Sequence, residues 1–316
     1  MIAPILIIVH SFHYEDRLEA CLNYCEVAAY FLNKHLKANN IHTHVIAGEQ
    51  WMGTKQKFKS TLESFESHFD KNLLQVYHHV IFVGACPLKQ THPKIIEWFN
   101  HNVKGKFIEI AEMKRGAKGH FQFFALPDTE NEFDKFIGPM YDSDSLYPDK
   151  QYTKLVLQID HHMAGRGDCH QQIIEKIQEL PSNQIFQKHW NGYELYYHGQ
   201  RLNSISDFDY YNRPPNIPFA ELSALYRRTH IGFLSHRETL GLYPVEMAAC
   251  GTVVALLGKP RFLQRSMHKI VSVELNGDDF WDRVLPKVTP EYAKQVSGNI
   301  AFCSYENGVS KILEHL

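Results

Sequence analysis

Apolar and polar positions along the chain follow two different periods, and the two periods take turns. Residues 4–9 form a continuous apolar run, the pattern of a strand buried on both faces. Residues 15–38 then carry apolar positions at helical spacing, followed by a strand at 41–47. A second helix follows at 56–74, with Leu62, Phe65, Phe69 and Leu73 on one face. The series continues with a strand at 79–84, a helix opened by Pro93, and strands at 106–110 and 121–126. Between 128 and 150 the pattern dissolves into acidic residues, Gly, Pro and Ser, which reads as a connector. It then restarts, with strands at 154–159, 184–189 and 194–198 and a helix at 170–180. A helix at 219–226, a strand at 230–234, a helix at 244–250 and a strand at 252–257 follow, and terminal helices start near 278 and 307.

Two successive strand and helix series of similar size predict an α/β protein of two Rossmann-like domains facing a cleft, 1–150 and 151–316, with the last helix packing back on the first domain. A length of 316 residues exceeds what one core usually serves, and 44% hydrophobic residues suffice to fill two. Lys plus Arg (33) nearly balance Asp plus Glu (35), which excludes a global field that draws in nucleic acid or an anionic membrane. The opening apolar stretch lacks a basic leader and a cleavage site before His10, so it is expected to be a strand and not a signal. No run reaches the roughly 18 apolar residues of a spanning helix, which leaves peripheral contact as the one mode of membrane association. The six cysteines form no framework of the secreted type, and a cytoplasmic location is expected. Cys21 and Cys25, one helical turn apart, read as core.

The chemistry concentrates in residues 217–257. A strand ends at Leu234, a polar loop follows, and a helix has Pro244 at its first position and Gly251 just past its end. Such a helix turns its free N–H groups and positive dipole end toward the carboxyl edge of the sheet, a seat for phosphate. Glu238 lies in the approach loop and Glu246 in the first helical turn, and carboxylates accept paired hydrogen bonds from vicinal hydroxyls. An anion seat beside two diol clamps suits a nucleotide sugar.

This segment resembles the signature of the family 4 retaining glycosyltransferases, which have the GT-B fold. The resemblance rests on the E-x7-E pair Glu238 and Glu246, on Gly241-Leu242 between them, and on the run Glu246-Met247-Ala248-Ala249-Cys250-Gly251-Thr252-Val253-Val254, one residue shorter than the family's. Ile217 to Tyr226 and the connector Tyr141 to Pro148 are similar to further family passages. The resemblance implies a hexosyltransferase that retains anomeric configuration, takes a UDP- or GDP-type sugar donor, and uses neither metal nor cofactor. It implies that Glu238 meets hydroxyls of the donor sugar, that Glu246 clamps the ribose, and that backbone amides of Thr239, Leu240, Gly241 and Leu242 face the sugar and diphosphate. The second domain is then the donor side and the first the acceptor side, and the acceptor stays open among glycan, lipid, protein and nucleic acid.

Where the family places an Arg and a Lys, this chain has Arg166 but no Lys at the same spacing, leaving Lys188, His170, Lys259 or no identifiable residue as the second cation. The family's Gly-rich loop after the first strand is replaced by a segment with His10 and His13, the candidates for the histidine near the reacting sugar, with His120 and His92 next. Asp160, His161, His162, Asp168 and His170 have metal-ligand chemistry, but a chain with 20 histidines clusters them by chance, and no metal is expected. Basic groups at Lys55, Lys57 and Lys59 and at Lys114, Arg115 and Lys118 suit an anionic acceptor or a solvated face. Two rival readings stand beside transfer: a sugar-nucleotide epimerase of the same fold, and a catalytically lapsed pair of lobes that binds without turnover.

Overall fold

The structure is a computed structural model that describes residues 4–9, 14–21, 24–47, 76–84, 93–111, 121–122, 140–160, 170–209, 217–235, 242–256 and 272–315. The chain divides into two units, Met1–Met140 with Cys303–Leu316, and Tyr141–Phe302. The helix expected at 56–74 and the end of the strand expected at 121–126 lie outside the described residues.

In the first unit, β1 (Ile5–Val9) pairs in parallel with β2 (Thr43–Ala47) on one side and β3 (His79–Gly84) on the other. β4 (Phe107–Ala111) and β5 (Phe121–Gln122) extend the sheet to the order β2-β1-β3-β4-β5. Every residue of β1 is buried, as its unbroken apolar run requires. Helices α1 (Tyr24–Ala38) and α2 (Pro93–Asn102) follow β1 and β3. The long helix expected from residue 15 is interrupted. Leu18–Ala20 is a short 3-10 turn, and Cys21 caps it outside α1, so Cys21 and Cys25 do not share a helix face. Both are buried and outside any disulfide, and burial pushes the Cys21 thiol up to about 12.

The second unit has β6 (Leu155–Ile159), β7 (Tyr193–Tyr197), β8 (Gln200–Leu202), β9 (Ile231–Leu234), β10 (Val253–Leu256) and β11 (Ser272–Glu274), in the order β11-β10-β9-β6-β7-β8. All pairs are parallel except the β7–β8 hairpin. Its turn is His198-Gly199 with φ of 43° and 86°, the doubly positive turn that matches strand twist. The helices are α3 (His170–Glu179), α4 (Gln184–His189), α5 (Phe219–Arg228), α6 (Leu242–Ala249), α7 (Phe280–Val284) and α8 (Pro290–Ile300). Residues 184–189 are thus a helix and not the strand that the sequence suggests. The Asn183 side chain accepts from the Ile185 and Phe186 amides, a capping contact stronger than the local apolar alternation. The terminal helix α9 (Tyr305–His315) belongs to the first unit, where Tyr305 packs on Phe31 of α1 with centroids 4.8 Å apart.

Residues 141–150 fall with the second unit, ahead of the boundary drawn from sequence at 150. Arg227, at the end of α5, donates to the Ser145 carbonyl at 3.2 Å and stacks over Tyr147. Part of the Lys150 stem reaches the surface while its ammonium is enclosed. There Nζ donates to the Cys250 carbonyl at 2.7 Å, the Arg227 carbonyl at 3.2 Å and Thr252 Oγ1 at 3.2 Å. One cation therefore satisfies the carboxyl ends of α5 and α6 together, where helix carbonyls lack partners.

Two substitutions test how α6 is terminated. Gly251 has φ of 70°, and an added Cβ would lie 2.5 Å from the Ala293 carbonyl oxygen on α8. Gly251→Ala should therefore cost more than about 2 kcal/mol, the left-handed penalty plus a backbone clash, as read by urea denaturation. Lys150→Met should cost about 1–3 kcal/mol because it orphans the Cys250 carbonyl.

Candidate functional site

Strand order in the second unit reverses at β6: the chain passes from β6 to β7 on one side, and β9 later pairs on the other. In open α/β sheets, ligands bind outside the carboxyl ends of the strands at such a point. Two residues mark it here. The Asp160 amide donates to the Phe233 carbonyl at 2.9 Å, and Ser235 Oγ donates to the Asp160 carbonyl at 3.1 Å.

Helix α6 follows β9. Its eight residues start at Leu242, so Pro244 is the third helical residue and Glu246 the fifth, two residues deeper than the sequence suggests. Pro244 remains within the first turn, whose amides have no intrahelical acceptor, so its missing N–H costs nothing. At the other end the Gly251 amide donates to the Ala248 carbonyl (2.8 Å) and the Thr252 amide to the Met247 carbonyl (2.9 Å), the paired bonds of a Schellman turn. A carboxylate beyond the first turn gains little from the helix dipole, so Glu246 does not serve merely to complement it.

Glu246 is 5% exposed, and burial pushes its carboxyl from 4.5 up to about 8, with the charge of Asp160 adding to the rise. The groups around it are aromatic and polar. Burial raises the Tyr226 phenol of α5 well above its usual value, with Glu246 and Asp160 contributing. Tyr243 Oη donates to the Gln158 carbonyl at 3.0 Å, and its ring meets Tyr226 edge-on at 5.8 Å. Gly232 permits this approach, since a Cβ there would stand 2.8 Å from Tyr243 Oη. Gln158 pairs in register with Gly232 and so faces the same side. Its side-chain amide is fully buried, with no hydrogen-bond partner among the described residues. A carboxyl that keeps its proton both donates and accepts hydrogen bonds.

Of the residues expected from sequence, Glu246 and the backbone of Leu242 stand at this carboxyl edge. Lys188 does not join them. It is exposed on α4, two residues before Trp190 and ahead of the amino end of β7, at the opposite edge of the sheet. His170 is buried at the start of α3 beside the Phe208 ring at 5.6 Å. Glu238, Thr239, Leu240, Gly241, Arg166, His10, His13, His92, His120, His161, His162, Asp168 and Lys259 lie outside the described residues, as do Lys55, Lys57, Lys59, Lys114, Arg115 and Lys118. Sequence reasoning passed over Gln158, Tyr226 and Tyr243 and treated Asp160 only as a metal ligand. The signal was there in period-two alternation: Leu155, Leu157 and Ile159 enter one core, which leaves Gln158 and Asp160 facing α5 and α6.

No protein-family model matches the chain, and no curated protein matches it. Among solved structures it is similar to sucrose-phosphate synthase from Thermosynechococcus elongatus, with a TM-score of 0.58, 10% identity, and 99% of this chain and 98% of that one covered. It is similar to the UDP-GlcNAc 2-epimerase of Neisseria meningitidis, solved with UDP-GlcNAc, at a TM-score of 0.57 and 13% identity over 98% of each chain. It is also similar to HepE of Anabaena, solved with UDP-glucose, at a TM-score of 0.56 and 10% identity over 99% of this chain and all of that one. The whole chain therefore has the two-unit α/β architecture of GT-B proteins.

The burial of Glu246 has a consequence for stability. Its folded-state value lies above the ordinary one, so between pH 4.5 and about 8 the native chain keeps a proton that the unfolded chain has released. That stabilisation is complete below pH 4.5 and is lost as pH rises through 8. Glu246→Gln stays neutral throughout. Its stability relative to the unsubstituted protein should rise by a few kcal/mol, on the order of 1.4 per pH, between pH 5 and 8 in parallel urea titrations. A flat difference would mean that Glu246 is solvated.

Proposed function

We propose that this chain is a retaining, metal-independent glycosyltransferase that moves a hexose-type sugar from a nucleoside diphosphate sugar to an acceptor. The observation that carries the reading is Glu246, a buried carboxyl on the helix that follows β9 at the strand-order reversal, with the amide end of that helix beside the same edge. Buried carboxyls cost free energy, and the enclosure is reasonable where the group awaits a ligand's hydroxyls.

In this reading Glu246 grips the ribose diol, and the amides of Thr239 to Leu242, together with Arg166, hold the diphosphate and stabilise its charge as it leaves. Glu238 holds hydroxyls of the sugar. The bond from the anomeric carbon to the diphosphate oxygen breaks, and a bond to the acceptor oxygen forms on the same face. The acceptor's proton passes to the departing phosphate oxygen, so no protein nucleophile is needed. His10 and His13, on the acceptor-side unit, orient the reacting sugar. Support comes from the geometry around Glu246, from the resemblance of residues 217–257 to the family 4 signature, and from a fold shared with proteins solved with UDP-glucose and UDP-GlcNAc.

The equal likeness to a UDP-GlcNAc 2-epimerase favours a second reading, in which the same donor site rearranges the sugar with no acceptor. Thermal-shift titration with UDP-, GDP-, ADP- and dTDP-sugars, followed by product analysis with and without acceptor mixtures, separates the two. A true donor at 100 times its Kd should add about 2.7 kcal/mol of stability. Glu246→Ala should weaken donor binding about tenfold through loss of its paired hydrogen bonds. Absence of binding to every donor, with no effect of Glu246→Ala, would overturn the proposal. Binding without turnover would identify a carrier or scaffold, and conversion of the donor alone an epimerase.

A further inference from the structure

The second unit has a cavity of about 620 Å3 at the amino edge of its sheet, the edge opposite Glu246. That volume lies in the range of small-molecule sites. Two aromatic side chains wall it, Tyr152 just before β6 and Trp190 just before β7, with ring centroids 6.4 Å apart. Ile185 of α4 and Val288 and Pro290 at the start of α8 complete an apolar lining.

The aromatic wall is set in place from behind. The buried imidazole of His230 meets both rings edge-on, Tyr152 at 5.3 Å and Trp190 at 5.1 Å. Its Nδ1 accepts from the Val156 amide at 3.0 Å, which ties the ring to β6. Burial, with the charge of Lys150 adding, lowers His230 to about 3, so it stands neutral behind the rings.

Glu291 is the one lining carboxylate of the cavity and His189 its one lining basic side chain, and no Lys or Arg lines it. The charge of Glu291 reaches Tyr152, whose phenol it and burial hold above the usual value, so acid and ring share this space. Glu291 makes no ion pair among the described residues. The start of α8 has little left for an anion. Pro290 lacks an N–H, Thr289 Oγ1 accepts from the Tyr292 amide at 3.2 Å, and the Thr289 carbonyl accepts from the Ala293 amide at 3.0 Å. An anionic ligand meets a carboxylate there, whereas a cation meets that carboxylate beside two aromatic rings.

We infer that this cavity is a second small-molecule site that takes an organic cation, an amine carried on an aromatic or aliphatic body, seated against Tyr152 and Trp190 with its charge at Glu291. The site is separate from the carboxyl-edge site and stands whether or not the chain transfers sugar. The probe is tryptamine, compared with tryptophol and indole-3-acetate, which keep the ring and replace the charge by a hydroxyl or reverse it. Calorimetric titration of the full chain should show saturable binding of tryptamine, at least about fivefold tighter than tryptophol, with no binding of indole-3-acetate. Glu291→Gln, an exposed position, should remove that preference at an unchanged melting temperature. Ile185→Lys, on a half-buried wall of the cavity, should abolish tryptamine binding by charge repulsion. Equal affinity for all three probes, insensitivity to both substitutions, or no saturable binding of tryptamine would overturn the assignment.

Discussion

Helix α6 is held at near-complete burial between β9, β10, α5 and α8, and the architecture of the second unit follows from keeping it there. Val245, Met247, Ala248, Ala249 and Cys250 are fully buried, so the helix has no solvated side on which a charge rests at low cost. Its polar demands are met at its ends. The Gly251 turn returns two amides to its last carbonyls, and the ammonium of Lys150 takes the Cys250 carbonyl. Gly251 also lets the Ala293 backbone of α8 approach. With both requirements met at one residue, α6 and α8 pack closely, and Glu246 is carried inward with the rest of the helix.

The same packing explains the chemistry of the carboxyl edge. A carboxyl drawn into an apolar helix, near the charge of Asp160 and among tyrosines, keeps its proton at neutral pH. A group of this kind exchanges hydrogen bonds with hydroxyls in both directions, whereas a solvated carboxylate only accepts. The opposite edge of the unit has another character. There the loops that enter β6 and β7 contribute aromatic rings, and the start of α8 contributes a carboxylate, around a cavity lined by no Lys or Arg.

Much of this fold is legible from residue order. The run Ile5–Val9 has no polar break, and only a strand covered on both faces accommodates that. Leu155, Leu157 and Ile159 alternate with Gln158 and Asp160, which shows which residues enter the main core. The failures share one cause. At 184–189 apolar residues are too few to display a period, and the two capping bonds that the Asn183 side chain accepts set the helix. The short strand after the His198-Gly199 turn carries no apolar pattern of its own, so the sequence does not announce it. In each case the deciding feature is a pair of hydrogen bonds or a pair of dihedral angles, which leaves no periodic trace.

What the chain determines by itself is the sequence of elements, the Gly that must end α6, and the acidic residue beside that helix, because those depend on local spacing and on conformations open to one residue type. What only the tertiary structure decided is the state of those groups. The proton on Glu246 depends on how completely α5, α6 and β6 exclude water. The exclusion of Lys188 from the carboxyl edge depends on α4 lying before β7 and not after it. The partner of Lys150 is a carbonyl 100 residues away. Dielectric environment and long-range proximity are properties of packed neighbours, and neighbours in space are not written in the order of residues along the chain.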